Sequence, residues 1–339
     1  MRFLASSIAV LAMTAIMPPV APGQGAPGTN LSVDVNVSSV TLSGDTVTVE
    51  YVLFNRGSSA EELVFFTVNA PAPPISLSLP QPSQAWKAST LYRERSVARW
   101  AALKTIPPGA ASPRISFRAV GVPAIVTAWY RGNRLPTLGE DDPEVQHPDP
   151  ETPTPDVDPL TAYSVPTQTV GIEPVAPGAT PASLTSRLET LTGESCSLGW
   201  ISQQSLCTTL RGHLTAQPVR LASFKSDLDA GHTTSGPVND NAYWLLKTNA
   251  DYIQSVVSGI RLTYICGNKF RVRNPSGVTV PVSWDVYQKN ETGSLTLPPR
   301  ATGQLYSETF FTTVNKGTVR LFHEGQLIQT KANGGAVCP

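Results

Sequence analysis

Residues 33–55 read VDVNVSSVTLSGDTVTVEYVLFN, with apolar and polar side chains alternating on both sides of a central Ser-Gly-Asp. Alternation with a period of two is typical of a β-strand that buries one face and exposes the other. A glycine among turn-forming residues favours a tight connection between the two runs. We therefore expect two antiparallel strands joined by a turn at residues 43–45.

The same alternation continues in three further segments, at 63–68, 115–119 and 124–130. About seven short strands over about 100 residues, separated by glycine and proline, are typical of a β-sandwich. The segment IPPGAAS at 106–112, which precedes a strand, resembles part of the immunoglobulin-like modules of bacterial surface proteins. We assign residues 30–135 to an immunoglobulin-like β-sandwich, and the strand-like segment 163–175 is a candidate for its last strand.

Residues 136–162 are acidic and rich in proline. Between 138 and 158 there is no lysine or arginine, and the segment carries these carboxylates: Glu140, Asp141, Asp142, Glu144, Asp149, Glu151, Asp156 and Asp158. Repulsion between like charges and the prolines keep such a segment extended, so we expect a loop or linker. Calcium binding is the alternative, although the segment lacks the ligand spacing and the glycine of an EF-hand loop.

The period changes to that of a helix across residues 181–257. Apolar side chains form four stripes: Leu184, Leu188 and Leu191; Leu206, Leu210 and Leu214; Leu221, Phe224 and Leu228; and Ala242, Leu245, Leu246 and Ile253. These stripes predict four short helices. The spaced leucines, with LASF at 221–224 and AYWLL at 242–246, resemble the FIMAH-type helical module found on exported bacterial proteins. Cys196 and Cys207 depart from that pattern.

Residues 259–339 return to a period of two and predict a small antiparallel β-sandwich. Glu324-Gly325, between two apolar runs, is typical of a two-residue hairpin turn. The segments 266–300 and 306–333 resemble a small C-terminal β-module that recurs on otherwise different exported bacterial proteins. This resemblance implies a portable part used for attachment or binding. The chain as a whole is therefore expected to be a mainly β, multidomain protein.

The first 25 residues have the pattern of a secretory signal peptide, with Arg2 ahead of an apolar run at 3–17 and small residues after it. The run is shorter than the roughly 20 residues that span a bilayer. No later segment has that length of apolar sequence. We expect an exported protein, secreted, periplasmic or at the cell surface, with no transmembrane span after signal removal.

The chain has four cysteines, Cys196, Cys207, Cys266 and Cys338. An even number in an exported chain predicts disulfides, and three pairings are possible. We favour Cys196 with Cys207 and Cys266 with Cys338, because each pair then lies within one predicted module and closes the last one. A zinc site is the weaker alternative, because the chain lacks C-x-x-C spacing.

Charge and motifs argue against several classes of function. Lysine plus arginine equals aspartate plus glutamate at 25 each, so no net charge favours nucleic acid. The sequence contains no G-x-S-x-G, H-E-x-x-H, P-loop or G-x-G-x-x-G motif. We expect no cofactor and no enzyme activity. A secreted glycoside or ester hydrolase is the rival, since paired carboxylates leave no local motif.

The last module carries nine basic residues against four acidic ones, a formal charge of +5. Lys269, Arg271 and Arg273 alternate along one predicted strand and therefore share a face. Exposed rings such as those of Tyr287 and Tyr306 can stack on sugars. We predict that these five residues bind a polysaccharide or a cell-surface protein. The alternatives are a merely solubilising strand face and rings that fill a small core.

Overall fold

The computed structural model of the protein describes residues 31–79, 86–92, 95–133, 164–307 and 317–334, together with Ala336 and Cys338. Within these ranges lie sixteen β-strands and four α-helices, so the predicted mainly β class is confirmed. The predicted signal peptide at 1–25 and the acidic segment 136–162 lie outside the described residues.

The first nine strands form two antiparallel sheets. Their bounds are β1 Val33–Ser43, β2 Thr46–Asn55, β3 Leu63–Asn69, β4 Ser76–Leu77, β5 Trp86–Tyr92, β6 Arg95–Ile106, β7 Ile115–Val120, β8 Val122–Gly132 and β9 Val165–Glu173. One sheet has the order β1-β2-β7-β4 and the other β5-β6-β3-β8-β9. The predicted pair of strands around residues 43–45 is the β1–β2 hairpin.

The two sheets meet at the buried ring of Tyr51. This ring lies edge-on to Phe66 and Trp100 of the five-stranded sheet, with ring centroids 5.5 and 6.2 Å apart. The Tyr51 hydroxyl donates a hydrogen bond of 2.5 Å to the carbonyl oxygen of Val170 in β9. Burial raises the pKa of Tyr51 well above its ordinary value. The aromatic core and the partnered hydroxyl together fix how the sheets face each other.

Strand β9 is the edge strand of the five-stranded sheet. It pairs with β8 over nine residue pairs, from Val122 opposite Glu173 to Tyr130 opposite Val165. The candidate strand in segment 163–175 therefore belongs to this five-stranded sheet. The acidic segment consequently connects two adjacent strands of one sheet.

Four helices follow, α1 Pro181–Ser197, α2 Gln204–Thr215, α3 Leu221–Gly231 and α4 Asp240–Ser258. The four apolar stripes lie on these helices. Helix α1 begins with a capping box between Thr180 and Ser183 and has a proline in its first turn. The Asn239 side chain caps α4 by accepting a hydrogen bond from the backbone N–H of Ala242.

Helix α4 packs against β1, an edge strand of the sheet with the order β1-β2-β7-β4. The Oδ1 atom of Asn241 accepts a 2.9 Å hydrogen bond from the N–H of Val37, and its Nδ2 donates one of 3.3 Å to the carbonyl oxygen of Val35. Such edge groups otherwise offer a template for pairing with another chain. The Asn241 amide therefore takes the place of a neighbouring strand.

The helices also contact the five-stranded sheet. The Arg187 guanidinium donates to the carbonyl oxygen of Pro123 at 2.8 Å and to Oε1 of Glu173 at 2.6 Å. Asn249 donates to the same Pro123 oxygen at 3.0 Å. Buried apolar residues of the sandwich, the helices and the last strands form one continuous cluster. The change of periodicity near residue 181 therefore marks a change of secondary structure within a shared core.

The remaining strands form two small sheets. Their bounds are β10 Arg261–Cys266, β11 Lys269–Arg273, β12 Val280–Val286, β13 Thr292–Leu297, β14 Thr302–Tyr306, β15 Thr318–His323 and β16 Gln326–Ala332. One sheet has the order β10-β11-β14 and the other β13-β12-β15-β16. Glu324 and Gly325 have φ angles of 49° and 78°, as a two-residue hairpin turn of type I′ requires.

The four cysteines form two disulfides in the pairing that the sequence favours. Cys196 and Cys207 join α1 to α2, with an S–S distance of 2.09 Å. Cys266 and Cys338 tie β10 to the last residues of the chain, with an S–S distance of 2.11 Å. Because these sulfurs are bonded to each other, they are not the thiolate ligands that a zinc site needs.

Candidate functional site

The outer surface of the three-stranded sheet, which we call the basic face, consists of Arg261, Thr263, Lys269, Arg271, Arg273, Thr302, Gln304 and Tyr306. Alternation along β11 creates it, because Phe270 and Val272 are fully buried. The basic residues between and beside them point to the opposite side of the sheet, where Arg271 and Arg273 are exposed and Lys269 is half-buried.

The strand register brings the charges of the basic face together. Arg273 lies opposite Arg261 on β10, and Lys269 lies opposite Tyr306 on β14. Residues directly opposite each other on antiparallel strands have Cβ atoms about 4.5–5.5 Å apart. Four basic side chains therefore lie side by side on one small sheet, and Arg261 is a member that the sequence analysis did not select.

In the part of the chain that the structure describes, no acidic residue neutralises these charges. Neither β10, β11 nor β14 contains an aspartate or a glutamate. Within the described ranges, Lys269, Arg271 and Arg273 have no ion pair, whereas Arg300 and Arg320 of the same module pair with carboxylates. Like charges placed opposite each other destabilise a sheet. The arrangement is therefore unfavourable in the free protein.

Tyr306 supplies an exposed ring at one end of the basic face. Its side chain remains 52% exposed, and Nζ of Lys269 lies 5.9 Å from the ring centroid. The hydroxyl hydrogen-bonds to the side chain of Gln304, which holds the ring against the sheet. A cation and an aromatic ring therefore lie next to each other at this end of the basic face.

Tyr287, the other predicted ring, lies apart from the basic face. It follows β12 in the sheet with the order β13-β12-β15-β16, where the Arg320 guanidinium lies 5.0 Å from its ring centroid. Arg320 itself is paired with Asp285, and this hydrogen bond raises the pKa of the arginine. The structure therefore brings together Lys269, Arg271, Arg273 and Tyr306 and leaves Tyr287 outside this group.

Two histidine–carboxylate pairs link the helices. Nε2 of His213 in α2 lies 2.8 Å from Oδ2 of Asp227 in α3, and Nε2 of His232 lies 2.7 Å from Oδ1 of Asp240 in α4. Nucleophilic hydrolysis also needs a hydroxyl or thiol within hydrogen-bond reach of the imidazole. In the described part of the chain, neither imidazole has such a neighbour. We interpret both pairs as contacts that hold helices together.

Across residues 31–79, 86–92, 95–133, 164–307 and 317–334, no three histidine, cysteine or acidic side chains cluster as metal ligands would. The described helices do not include one long and apolar enough to cross a bilayer.

Comparisons with known proteins give similarity in fold only. No protein-family model and no curated protein matches the chain. An uncharacterised protein from Nocardia farcinica with an immunoglobulin-like fold is 16% identical, covers 34% of this chain and 91% of its own, and has a TM-score of 0.22. A segment of two fibronectin type III domains from chicken tenascin is 9% identical over 88% of this chain and 95% of its own, with a TM-score of 0.30.

Both neighbours have folds of the kind predicted for residues 30–135. At TM-scores below 0.5, these likenesses carry no argument about ligand or activity. The resemblances of residues 181–257 to a FIMAH-type module and of residues 259–339 to a portable β-module stay predictions.

Proposed function

We propose that this chain is a non-catalytic, exported binding protein of the cell envelope or extracellular space whose basic face binds an anionic polysaccharide. One observation carries the proposal: Arg261, Lys269, Arg271 and Arg273 share one sheet face that ends at an exposed ring and has no acidic partner among the described residues. A concentrated positive surface attracts anions before contact. Arginine forks then bind carboxylate or sulfate groups through paired hydrogen bonds.

The geometry of the basic face favours an extended ligand. Side chains on one face of a strand repeat at about 6.5–7 Å, because each residue rises about 3.3–3.4 Å. Lys269, Arg271 and Arg273 therefore form a straight row of charges, which complements a chain of regularly repeated anionic groups. Tyr306, opposite Lys269, offers a flat apolar surface on which a sugar ring can stack.

Export is supported by both disulfides, because such bonds persist in oxidising compartments. The predicted signal peptide points the same way. A cell-surface protein with an acidic patch is the other partner that the basic face suits. The straight row of charges favours the polysaccharide over such a protein.

The experiment is an equilibrium binding measurement of the full chain on immobilised alginate and hyaluronan, with dextran as the neutral polysaccharide. We expect saturable binding to the two anionic polymers that weakens with added salt. The double variant Arg271→Gln/Arg273→Gln should bind about tenfold more weakly or worse, since each lost hydrogen bond to a charged group is worth about 1.5–3 kcal/mol.

The matched control is Lys87→Gln/Lys104→Gln, which removes two charges from exposed positions of β5 and β6. This variant has the same net charge as the arginine variant, so unchanged binding would assign the effect to the basic face. Equal loss in both variants, or no binding to either anionic polymer, would contradict the proposal. Release of new reducing ends from either polymer would favour the hydrolase instead.

A further inference from the structure

A cavity of about 660 Å³ lies where the helices meet the β15–β16 hairpin. Its lining comes from the first turns of α1 and α3, the last turns of α4, and the hairpin. Cavities of about 300–1,000 Å³ are typical of sites for small molecules. No residue of the basic face lines this cavity. The two surfaces can therefore bind different ligands.

One end of the cavity is formed by the start of α3. Leu221, Ala222 and Ser223, the first three residues of this helix, all line the cavity. Backbone N–H groups of a first helical turn have no partner inside the helix. Arg220 precedes the helix and also lines the cavity, and its side chain makes no capping hydrogen bond. The first turn of α3 contains no acidic residue. This end is therefore electropositive and rich in donors.

A buried histidine provides a second and independent polar group. His323 is 7% exposed and lines the same cavity. Its Nδ1 lies 2.8 Å from the carbonyl oxygen of Pro281. A carbonyl oxygen only accepts hydrogen bonds, so Nδ1 carries a proton, and when the ring is neutral its Nε2 atom is a hydrogen-bond acceptor.

That Nε2 atom has no hydrogen-bond partner in the described part of the chain. Oε1 of Glu324 lies 3.9 Å away, which is beyond hydrogen-bonding distance. Buried polar groups in native proteins are normally paired with protein, water or ligand. An Nε2 acceptor in a cavity wall is therefore suited to a ligand that brings a hydroxyl or an N–H group.

The remaining wall has the apolar side chains of Val219, Ile253, Val257, Leu327 and Ile328, interspersed with Thr185, Gln254, Ser258 and Gln326. Leu327 is 56% exposed although it belongs to β16 beside the shared core. Exposed apolar surface next to a few placed polar groups is the usual composition of a ligand site.

We propose that this cavity binds a small organic anion with an apolar body and a hydroxyl or N–H group. The anionic group lies at the first turn of α3 beside Arg220, the apolar body covers Leu327 and its neighbours, and the donor meets Nε2 of His323. Glu324, at the rim, disfavours a second anionic group on the ligand. The site thus selects amphiphilic monoanions over neutral or multiply charged molecules.

The test uses two fluorescent probes with the same aromatic body. 8-Anilinonaphthalene-1-sulfonate carries one anionic group, an apolar body and an N–H, and N-phenyl-1-naphthylamine lacks only the sulfonate. We expect the full chain to bind the sulfonate probe at one saturable site, about tenfold more tightly than the neutral probe. That ratio is the expected result for hydrogen bonds to one charged group.

Ala222→Asp places a fixed carboxylate at the anion end of the cavity, and an acidic residue in a first turn stabilises the helix. This variant should bind the sulfonate probe about tenfold more weakly and bind the neutral probe with unchanged affinity. The matched control is Ala230→Asp, an exposed position at the other end of α3, which should not change either affinity. Leu327→Ser should lower the affinity for both probes, because it removes part of the apolar wall.

Binding of the sulfonate probe should survive in Arg271→Gln/Arg273→Gln, which separates this site from the basic face. The absence of a saturable site in the wild type would overturn the proposal. The proposal would also be overturned if Ala222→Asp and Ala230→Asp lowered the affinity for the sulfonate probe equally. The same holds if Ala222→Asp lost its affinity for the neutral probe. Retained binding in Leu327→Ser would also overturn it, because the apolar wall would then be elsewhere.

Discussion

Replacing Asn241 with leucine should detach the helices from strand β1 at one defined point. The side chain is 8% exposed, and its amide pairs with the N–H of Val37 and the carbonyl oxygen of Val35. Leucine has a similar size and no polar atom, so Asn241→Leu leaves both backbone groups buried beneath α4 without a partner.

The expected loss of stability follows from these two backbone groups, which lose their hydrogen-bond partners. Each unsatisfied buried group costs about 1–3 kcal/mol, and the Val35 contact at 3.3 Å belongs near the lower value. Burying the new leucine returns about 1–2 kcal/mol. We therefore expect Asn241→Leu to lower the free energy of unfolding by about 1–2 kcal/mol.

Urea unfolding of the oxidised protein, followed by tryptophan fluorescence, measures this loss. Hydrogen exchange at the Val37 amide provides a local measurement, and exchange there should accelerate in Asn241→Leu. The matched control is Asn36→Leu, because Asn36 lies on the same strand with an exposed side chain. Surface changes of this kind shift stability by about 0.5 kcal/mol or less.

Equal losses in Asn241→Leu and Asn36→Leu would refute this account of the interface. A loss in Asn241→Leu without faster exchange at Val37 would also refute it, because the destabilisation would then arise elsewhere.

Three further predictions concern the disulfides, a buried phenol and a close contact. Replacing Cys266 and Cys338 with serine should lower the free energy of unfolding by about 4.4 kcal/mol, because the disulfide closes a loop of 72 residues. Replacing Cys196 and Cys207, which are 11 residues apart, should lower it by about 2.8 kcal/mol. Urea unfolding of the two double variants measures both losses, and a larger loss for Cys196 and Cys207 would contradict the prediction. Burial raises the pKa of Tyr252 to about 12, so its contribution to stability is complete below the ordinary value near 10 and is lost as the pH rises through 12. Tyr252→Phe should therefore reduce the loss of stability between about pH 10 and 12 in alkaline unfolding curves, and an unchanged loss would assign it to other groups. A Cβ atom at Gly293 would lie 2.5 Å from the indole ring of Trp284, so Gly293→Ala should cost about 1–3 kcal/mol and alter the tryptophan emission, whereas an unaltered spectrum would contradict the contact.

Local patterns in the sequence predicted much of the secondary structure. The alternation at residues 33–55 became β1 and β2, and the four apolar stripes became four helices. Glu324-Gly325 formed the expected turn, because few residue pairs adopt positive φ at both positions without strain. These features were predictable since each depends on neighbours within about one turn or one strand.

The candidate site was predictable only in part. The shared face of Lys269, Arg271 and Arg273 followed from alternation along a single strand. Arg261 was missed because a bulge near residue 265 shifts the β10–β11 register by one residue and places Arg261, instead of Leu262, opposite Arg273. A plain count outward from the turn would have given the wrong partner.

The sequence by itself determined the mainly β composition, the helical segment, the row of three basic residues and the disulfide pairing within modules. The first three depend on periodicity along the chain, and the pairing followed from the position of each cysteine pair within one predicted segment, 181–257 or 259–339. Only the tertiary structure decided that β9 pairs with β8, that Asn241 pairs with a strand 204 residues away, and that His323 and the start of α3 line one cavity. The physical reason is that such contacts depend on how whole elements pack in three dimensions, and side-chain periodicity along the chain carries no information about which distant surfaces meet.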